Sequence, residues 1–293
     1  MTPRTATLIG LTAILMWSLL AVLTVATGKI PAFQLAGMTF AIGALVGFLT
    51  WFGRPDAVSA LRQPPLVWMV GVGGLFGYHA LYFLALRFAP PAEAGLLNYL
   101  WPLLIVLFSS LLPGERLLPH HIIGAVLGLV GTVLLFAGNS GSGFAPGQLP
   151  GLIAAFVAAF VWAAYSVMSR KLKAVPTDAV AGFCAVTALL AVMVHGIVEV
   201  TVWPETPAQW LFIAALGVGP VGAAFYAWDI GMKRGDIRVL GAASYATPLL
   251  STAFLILAGF ARPSATIAIA ALLIAGGGLI AAKDMIWKRD APS

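Results

Sequence analysis

The chain has 293 residues, is 61% hydrophobic and only 9% charged, and has a mean hydropathy of +0.99. Soluble domains carry about 25% charged residues, so this composition excludes a globular surface facing water on all sides and requires lipid in its place. The net charge of +6 does not imply a nucleic-acid partner, because the cations lie in short runs between apolar stretches, as the positive-inside rule describes.

A helix that crosses lipid needs about 20 apolar residues, since every backbone polar group must be satisfied within it. Ten runs qualify: 7–27, 32–53, 66–87, 91–112, 118–137, 148–170, 177–202, 208–232, 238–259 and 263–283. The first is nearer in length to a span than to the apolar region of a signal peptide. Proline and glycine mark the breaks, as in Lys29-Ile30-Pro31, Arg54-Pro55-Asp56, Pro90-Pro91, Pro113-Gly114, the stretch 138–143, Pro176, Pro204, Pro207, Gly235 and Pro263. With the N-terminus in the cytoplasm, 13 of the 16 Lys and Arg residues lie inside and only Lys29, Arg87 and Arg262 lie outside. Both termini are then cytoplasmic.

The two halves resemble each other at a shift of 145–146 residues: Trp17 matches Trp162, Arg87 matches Lys233, Gly95 matches Gly241, Tyr99 and Pro102 match Tyr245 and Pro248, and Gly131 matches Gly277. Five spans per half make the second half enter the membrane inverted, an arrangement found in transporters that rock around a midplane site. The fold class expected is an all-α polytopic membrane protein of ten transmembrane helices. It comprises two inverted five-helix repeats, residues 1–143 and 144–293.

Candidate chemistry is sparse. The single cysteine, Cys184, reads as a small buried residue and permits no disulfide within the chain. No phosphate-binding loop or zinc-protease signature occurs, and the Gly71–Gly77 run reads as helix packing. No metal and no cofactor is expected. His120-His121 follows Pro119 at a helix start and reads as interfacial rather than metal-binding. Ionisable groups at membrane depth are functional candidates. His79, with Tyr78 beside it and Tyr82 one turn on, lies deep in the third run. Asp229 has Lys233 at i+4 and so also reads as a structural ion pair. Glu93, near Arg87, favours the helix N-terminus that it opens. Glu199 reads as interfacial, with His195 on the same face.

Trp51, Trp68, Trp203, Trp210 and Trp287 fit the interfacial aromatic belts, whereas Trp17, Tyr82, Tyr99, Trp101, Trp162, Tyr165, Tyr226, Trp228 and Tyr245 fall deeper. Buried indole and phenol groups need partners, so a bundle interior or a wet cavity is expected there. Asn98 and Ser244 add polar atoms at the same depth, and Pro102 and Pro248 are expected to kink both helices.

Ten spans in two inverted halves resemble the drug/metabolite transporter superfamily; Glu115 and the Gly124/Gly131 spacing resemble its EamA-type repeat. The segments ATLIGL, Met16-Trp17-Ser18, NYLWP (98–102), Val161-Trp162-Ala163-Ala164-Tyr165 and Ser244-Tyr245…Thr247-Pro248 resemble the YddG-type aromatic amino acid exporters along the whole chain. Asp229 departs from that pattern, which has an amide there; its charge bears on substrate range or ion coupling. The resemblance implies export of Phe, Tyr and Trp through the bacterial inner membrane. The small-molecule site is expected at Trp17, Tyr78, His79, Tyr82, Asn98, Tyr99, Trp101, Trp162, Tyr165, Tyr226, Asp229, Ser244 and Tyr245, in a monomer surrounded by lipid with no nucleic acid. An exporter of another metabolite or drug-like solute is the alternative. An intramembrane enzyme would need a clustered acid/base or nucleophile set, and only His79 lies deep; a passive channel or lipid-handling protein completes the alternatives. With no central carboxylate pair, facilitated diffusion is expected over proton antiport.

Overall fold

The computed structural model describes residues 1–114, 116–137, 146–259 and 264–284. Glu115, Gly141, Arg262, Trp287 and the expected break at 138–143 lie outside them. Among the described residues all regular structure is helical. In chain order the helices are α1 (Pro3–Ala26, broken at Leu19), α2 (Ala32–Leu49), α3 (Pro65–Phe88), α4 (Pro91–Asn98), α5 (Trp101–Ser109), α6 (Pro119–Ala137), α7 (Leu149–Lys171), α8 (Ala179–Val198), α9 (Pro207–Arg234), α10 (Ile237–Ala243), α11 (Ala246–Leu257) and α12 (Ala265–Ala281), besides short 3-10 turns. Six of them, α1, α2, α3, α7, α8 and α9, are long and apolar enough to cross a membrane. Their outward faces carry exposed Leu, Ile and Val, among them Leu8, Leu45, Leu189 and Leu211. The chain is a polytopic α-helical membrane protein.

Proline shapes the helices where the sequence places it. A proline ring meets the carbonyl four residues back. Pro102 accordingly parts α4 from α5 at Tyr99-Leu100, and Pro248 parts α10 from α11 at Ser244-Tyr245. Two further irregularities match at the same shift: α3 contains a π turn at Gly73–Gly77 and α9 one at Gly219–Ala223, with first residues 146 positions apart. A π turn departs from the regular i→i+4 ladder, and a carbonyl of each turn meets a side-chain donor described below.

The packing is paired. α2 lies along α8, α6 along α12, α1 against the last turns of α9, and α3 against α7. Exchanging the two halves maps the first two pairs onto themselves and the last two onto each other. Lipid gives helices little hydrophobic reason to associate, so close approach at small residues does the work. Gly10 meets the Gly231 backbone, and a Cβ at Gly124 would strike the Gly277 carbonyl.

One pairing has no partner under this exchange. α5 packs against α10, while α4 and α11 make no comparable contact among the described residues.

Polar ties close the ends. The Glu199 carboxylate accepts from the Phe33 and Gln34 N–H groups at 3.0 and 3.1 Å, supplying a cap to α2 from the end of α8. His195 reaches the same carboxylate at 2.9 Å. At the opposite end of this helix pair, Arg54 binds Asp178 at 2.9 Å. Arg170 donates to the Lys233 and Gly235 carbonyls at 3.0 and 2.9 Å and so caps α9. Asp236 caps α10 by accepting from the N–H groups of Arg238 and Val239 at 3.0 and 3.3 Å.

Candidate functional site

Between α4 and α11, where the two halves fail to close, lies a cavity of about 440 Å³. Its lining runs from Trp17, Trp101 and Trp162 at mid-depth to Ile30, Ala32 and Leu86 near the helix ends. Among the described residues, the lining does not extend past the tryptophans toward Arg54 and Arg234.

The floor is built of indoles from four segments. The Trp17 ring contacts Trp162 at 5.5 Å, Trp228 at 5.0 Å and Trp101 at 6.5 Å, and Trp101 lies edge-on to Trp162 at 6.2 Å. Edge and tilted contacts are those the ring quadrupole prefers. Two of these indole N–H groups are held within the frame: Trp17 Nε1 donates to the Pro220 carbonyl at 2.9 Å, and Trp228 Nε1 donates to Ser166 Oγ at 3.1 Å. One wall is Phe40 stacked on Phe225 at 5.5 Å; His79 meets Phe40 edge-on at 5.0 Å. Tyr78 stacks on Tyr82 at 6.0 Å and leans on Trp162 at 5.1 Å.

The polar groups of the site are few and uncharged as placed. His79 Nδ1 lies 2.7 Å from the Leu75 carbonyl in the π turn of α3. A carbonyl only accepts, so Nδ1 carries the proton, and in the neutral ring Nε2 is left as an acceptor. Asn98 Nδ2 donates to the Tyr78 hydroxyl at 3.0 Å. Asn98 Oδ1 and Thr247 Oγ1 are buried at the lining without hydrogen-bond partners, an open capacity for a ligand to satisfy. No Asp, Glu, Lys or Arg lines the cavity among the described residues.

Eight of the thirteen residues named from the sequence meet here: Trp17, Tyr78, His79, Tyr82, Asn98, Tyr99, Trp101 and Trp162. Five lie elsewhere, each for a visible reason. Tyr165 rests on Gly74, Tyr226 on Gly47 and Tyr245 on Gly128, filling room that an absent Cβ leaves on the facing helix. The Tyr245 hydroxyl accepts from the Leu103 N–H at 3.2 Å, serving a donor left over at the start of α5. Ser244 Oγ donates back to the Leu240 carbonyl at 2.7 Å. Asp229 pairs with Lys233 Nζ at 2.8 Å and accepts from Thr177 Oγ1 at 2.7 Å, both charges nearly fully buried. Lys233 also donates to the Val175 carbonyl at 2.9 Å.

The structure adds Phe40, Phe225, Thr39, Thr247 and Ser251 to the lining. Phe225 stands 146 residues after His79, so the repeat alone could have found it. Phe40 and the hydroxyls carry no such signal. Glu93 lies in the first turn of α4 with Oε2 buried and unpartnered. Far from the cavity, the ligating atoms of His120, His121 and Asp284 lie within 4.8 Å of one another. His121 Nδ1 already accepts from the Leu118 N–H at 3.1 Å.

The EamA-like transporter family profile matches this chain twice, over residues 4–137 and 149–282. The aromatic amino acid exporter YddG of Ancylobacter novellus is 56% identical over 282 residues, covering 96% of this chain and 98% of its own length. The protein of that name from Escherichia coli K12 is 30% identical over 300 residues, covering 96% and 97%. A solved crystal structure of a protein 56% identical in sequence superposes with a TM-score of 0.92, over 96% of this chain and 97% of the other. The two matched halves, the helical architecture and these relatives together establish that the chain belongs to the EamA-like transporter family and is a transporter rather than an enzyme.

Proposed function

We propose that this protein exports aromatic amino acids across the bacterial inner membrane by alternating access. It does so as ten spans in two inverted repeats, residues 1–143 and 144–293, with both termini in the cytoplasm. The observation that carries the reading is the cavity: about 440 Å³, walled by indole and phenyl faces, with no formal charge. That volume falls within the roughly 300–1,000 Å³ of small-ligand sites. Flat rings match its walls, and a zwitterion of zero net charge needs only neutral partners. Asn98 Oδ1 and His79 Nε2 offer acceptors to an ammonium group, and the Thr247 hydroxyl offers a donor to a carboxylate. The relatives named as aromatic amino acid exporters support the same substrate class. Trp17, Tyr78, His79, Tyr82, Asn98, Tyr99, Trp101 and Trp162 form the substrate contacts in this reading; Tyr165, Tyr226, Asp229, Ser244 and Tyr245 hold the frame. In this reading Ile30 and Leu86 mark the periplasmic end of the cavity, and the arrangement is an outward-open one.

Radiolabelled Phe counterflow in proteoliposomes tests transport; saturable flux is expected, unchanged by an imposed pH gradient. Flux that stays linear in concentration would indicate a pore, and flux of unrelated solutes alone would overturn the substrate class. In a Cys184→Ala background, cysteine at Glu205 should react with impermeant reagents from outside and cysteine at Lys173 only from inside. The reverse pattern would refute the orientation.

A further inference from the structure

A second hollow, of about 540 Å³, opens between the C-terminal end of α2 and the flank of α9, with Met1 and the residues Pro176, Thr177 and Asp178 that lead into α8 completing its lining. On α9 its residues are Ala223, Tyr226, Ile230 and Arg234, a single helical stripe. The opposite stripe of α9, with Phe225 and Trp228, faces the aromatic cluster. The hollow therefore belongs to the lipid-facing side, and Leu45 and Leu49 beside it are 55% and 63% exposed. Its floor is smooth: Gly43 meets Gly222, Tyr226 lies over Gly47, and the Tyr226 hydroxyl donates to the Gly43 carbonyl at 3.3 Å.

Its rim is cationic and polar. Arg54 makes four hydrogen bonds, to the Thr50 carbonyl at 2.9 Å, to Thr50 Oγ1 at 3.2 Å and to the two Asp178 carboxylate oxygens at 2.9 and 3.4 Å. Guanidinium has five N–H donors in a rigid fork, so its donating capacity is not exhausted. Arg234 is exposed and makes no hydrogen bond or ion pair among the described residues. A hollow with an aliphatic bed, two arginines at its mouth and lipid alongside matches one kind of molecule. Basic pockets between spanning helices at a membrane surface bind phospholipid headgroups.

We infer that the hollow between α2 and α9 is a binding site for an anionic phospholipid. The phosphodiester lies at Arg54 and Arg234, and an acyl chain lies along Val46, Ala223 and Ile230. This site is separate from the transport cavity and does not depend on which solute is carried. Asp178 neutralises part of the Arg54 charge, which leaves Arg234 as the principal anchor.

Native mass spectrometry of the detergent-purified protein, titrated with palmitoyl-oleoyl phosphatidylglycerol, tests the site. One lipid is expected to bind ahead of the rest, and its affinity should fall about fivefold for Arg234→Gln and by less for Arg54→Gln. Arg62→Gln, an equal loss of charge elsewhere, should leave the affinity unchanged. Arg234→Gln breaks no contact seen here, so it remains informative should Arg54→Gln fail to fold. Equal weakening by Arg62→Gln, or none by Arg234→Gln, overturns the site. Competition by glycerol 3-phosphate as strong as by the lipid would show a phosphate site without a lipid preference. Competition by Phe would show a substrate vestibule. Either result refutes the assignment, and neither bears on whether Phe is transported.

Discussion

The indole N–H of Trp17 and the carbonyl of Pro220, 203 residues apart, meet at 2.9 Å and join α1 to the π turn of α9. This bond ends on a carbonyl of the π turn and holds the ring that forms the cavity floor. Trp17→Phe keeps most of the apolar surface and loses the donor. Leaving a buried acceptor unpaired costs about 1–3 kcal/mol. Thermal unfolding in detergent should show that loss, and Phe flux should fall; an unchanged Tm with unchanged flux would show the bond to be dispensable.

Trp101 and Trp162 should read aromaticity. Ring contacts add about 0.5–1.5 kcal/mol beyond burial, so removing one wall should weaken an aromatic substrate about 2- to 12-fold. Phe and Thr flux in Trp101→Ala and Trp162→Ala, normalised to protein in the membrane, gives the decisive ratio. Equal loss for both substrates would mean that these rings serve packing or gating.

Asp229 and Lys233 should behave as one unit. Breaking a buried pair by removing one partner costs about 3–5 kcal/mol, whereas replacing both by apolar residues is far milder. Asp229→Asn and Lys233→Met should each lower the Tm sharply, and Asp229→Leu with Lys233→Met should recover much of it. The KM for Phe in Asp229→Asn should stay within about twofold, since binding terms change by about 1.4 kcal/mol per tenfold; a large KM increase would return Asp229 to the substrate site.

Asp236 gives a pH dependence with a definite sign. Burial raises its carboxyl, but hydrogen bonds from Arg238, the Arg238 charge and the backbone N–H groups of Val239 and Arg238 outweigh burial and hold it below the usual range. A carboxyl depressed on folding stabilises above its unfolded value of about 3.9 and loses that contribution as pH falls toward the folded value. The stability difference between wild type and Asp236→Asn, read from the Tm, should be full at pH 6 and shrink below pH 4. A difference independent of pH would assign the effect to shape alone.

Much of this was written in the chain. Charge scarcity and Pro/Gly punctuation located the helices to within a few residues, and Pro102 and Pro248 marked breaks that the structure contains. The tyrosines divided less cleanly. Periodicity gives depth in the membrane, but not which neighbour faces a ring. Tyr78 and Tyr82 open onto the cavity while Tyr165, Tyr226 and Tyr245 press onto glycines of distant segments, a pairing that only the three-dimensional arrangement reveals. The π turns were equally silent: Gly73–Gly77 read as packing, yet its Leu75 carbonyl sets the tautomer of His79. The capping of α2 by Glu199 required two helices to be adjacent, which one-dimensional spacing does not report.

The ties at both ends of the α2–α8 pair have a mechanical consequence. The helices are antiparallel, with Glu199 holding the start of α2 and Arg54–Asp178 holding its finish. Sliding one past the other by a single turn, about 5.4 Å, would break both ties at once and uncap α2. The pair therefore resists shear and turns only as one body, like a post braced at floor and ceiling. Compliance is left to the segments that are broken mid-course, α4–α5 and α10–α11, with joints at Tyr99-Leu100 and Ser244-Tyr245.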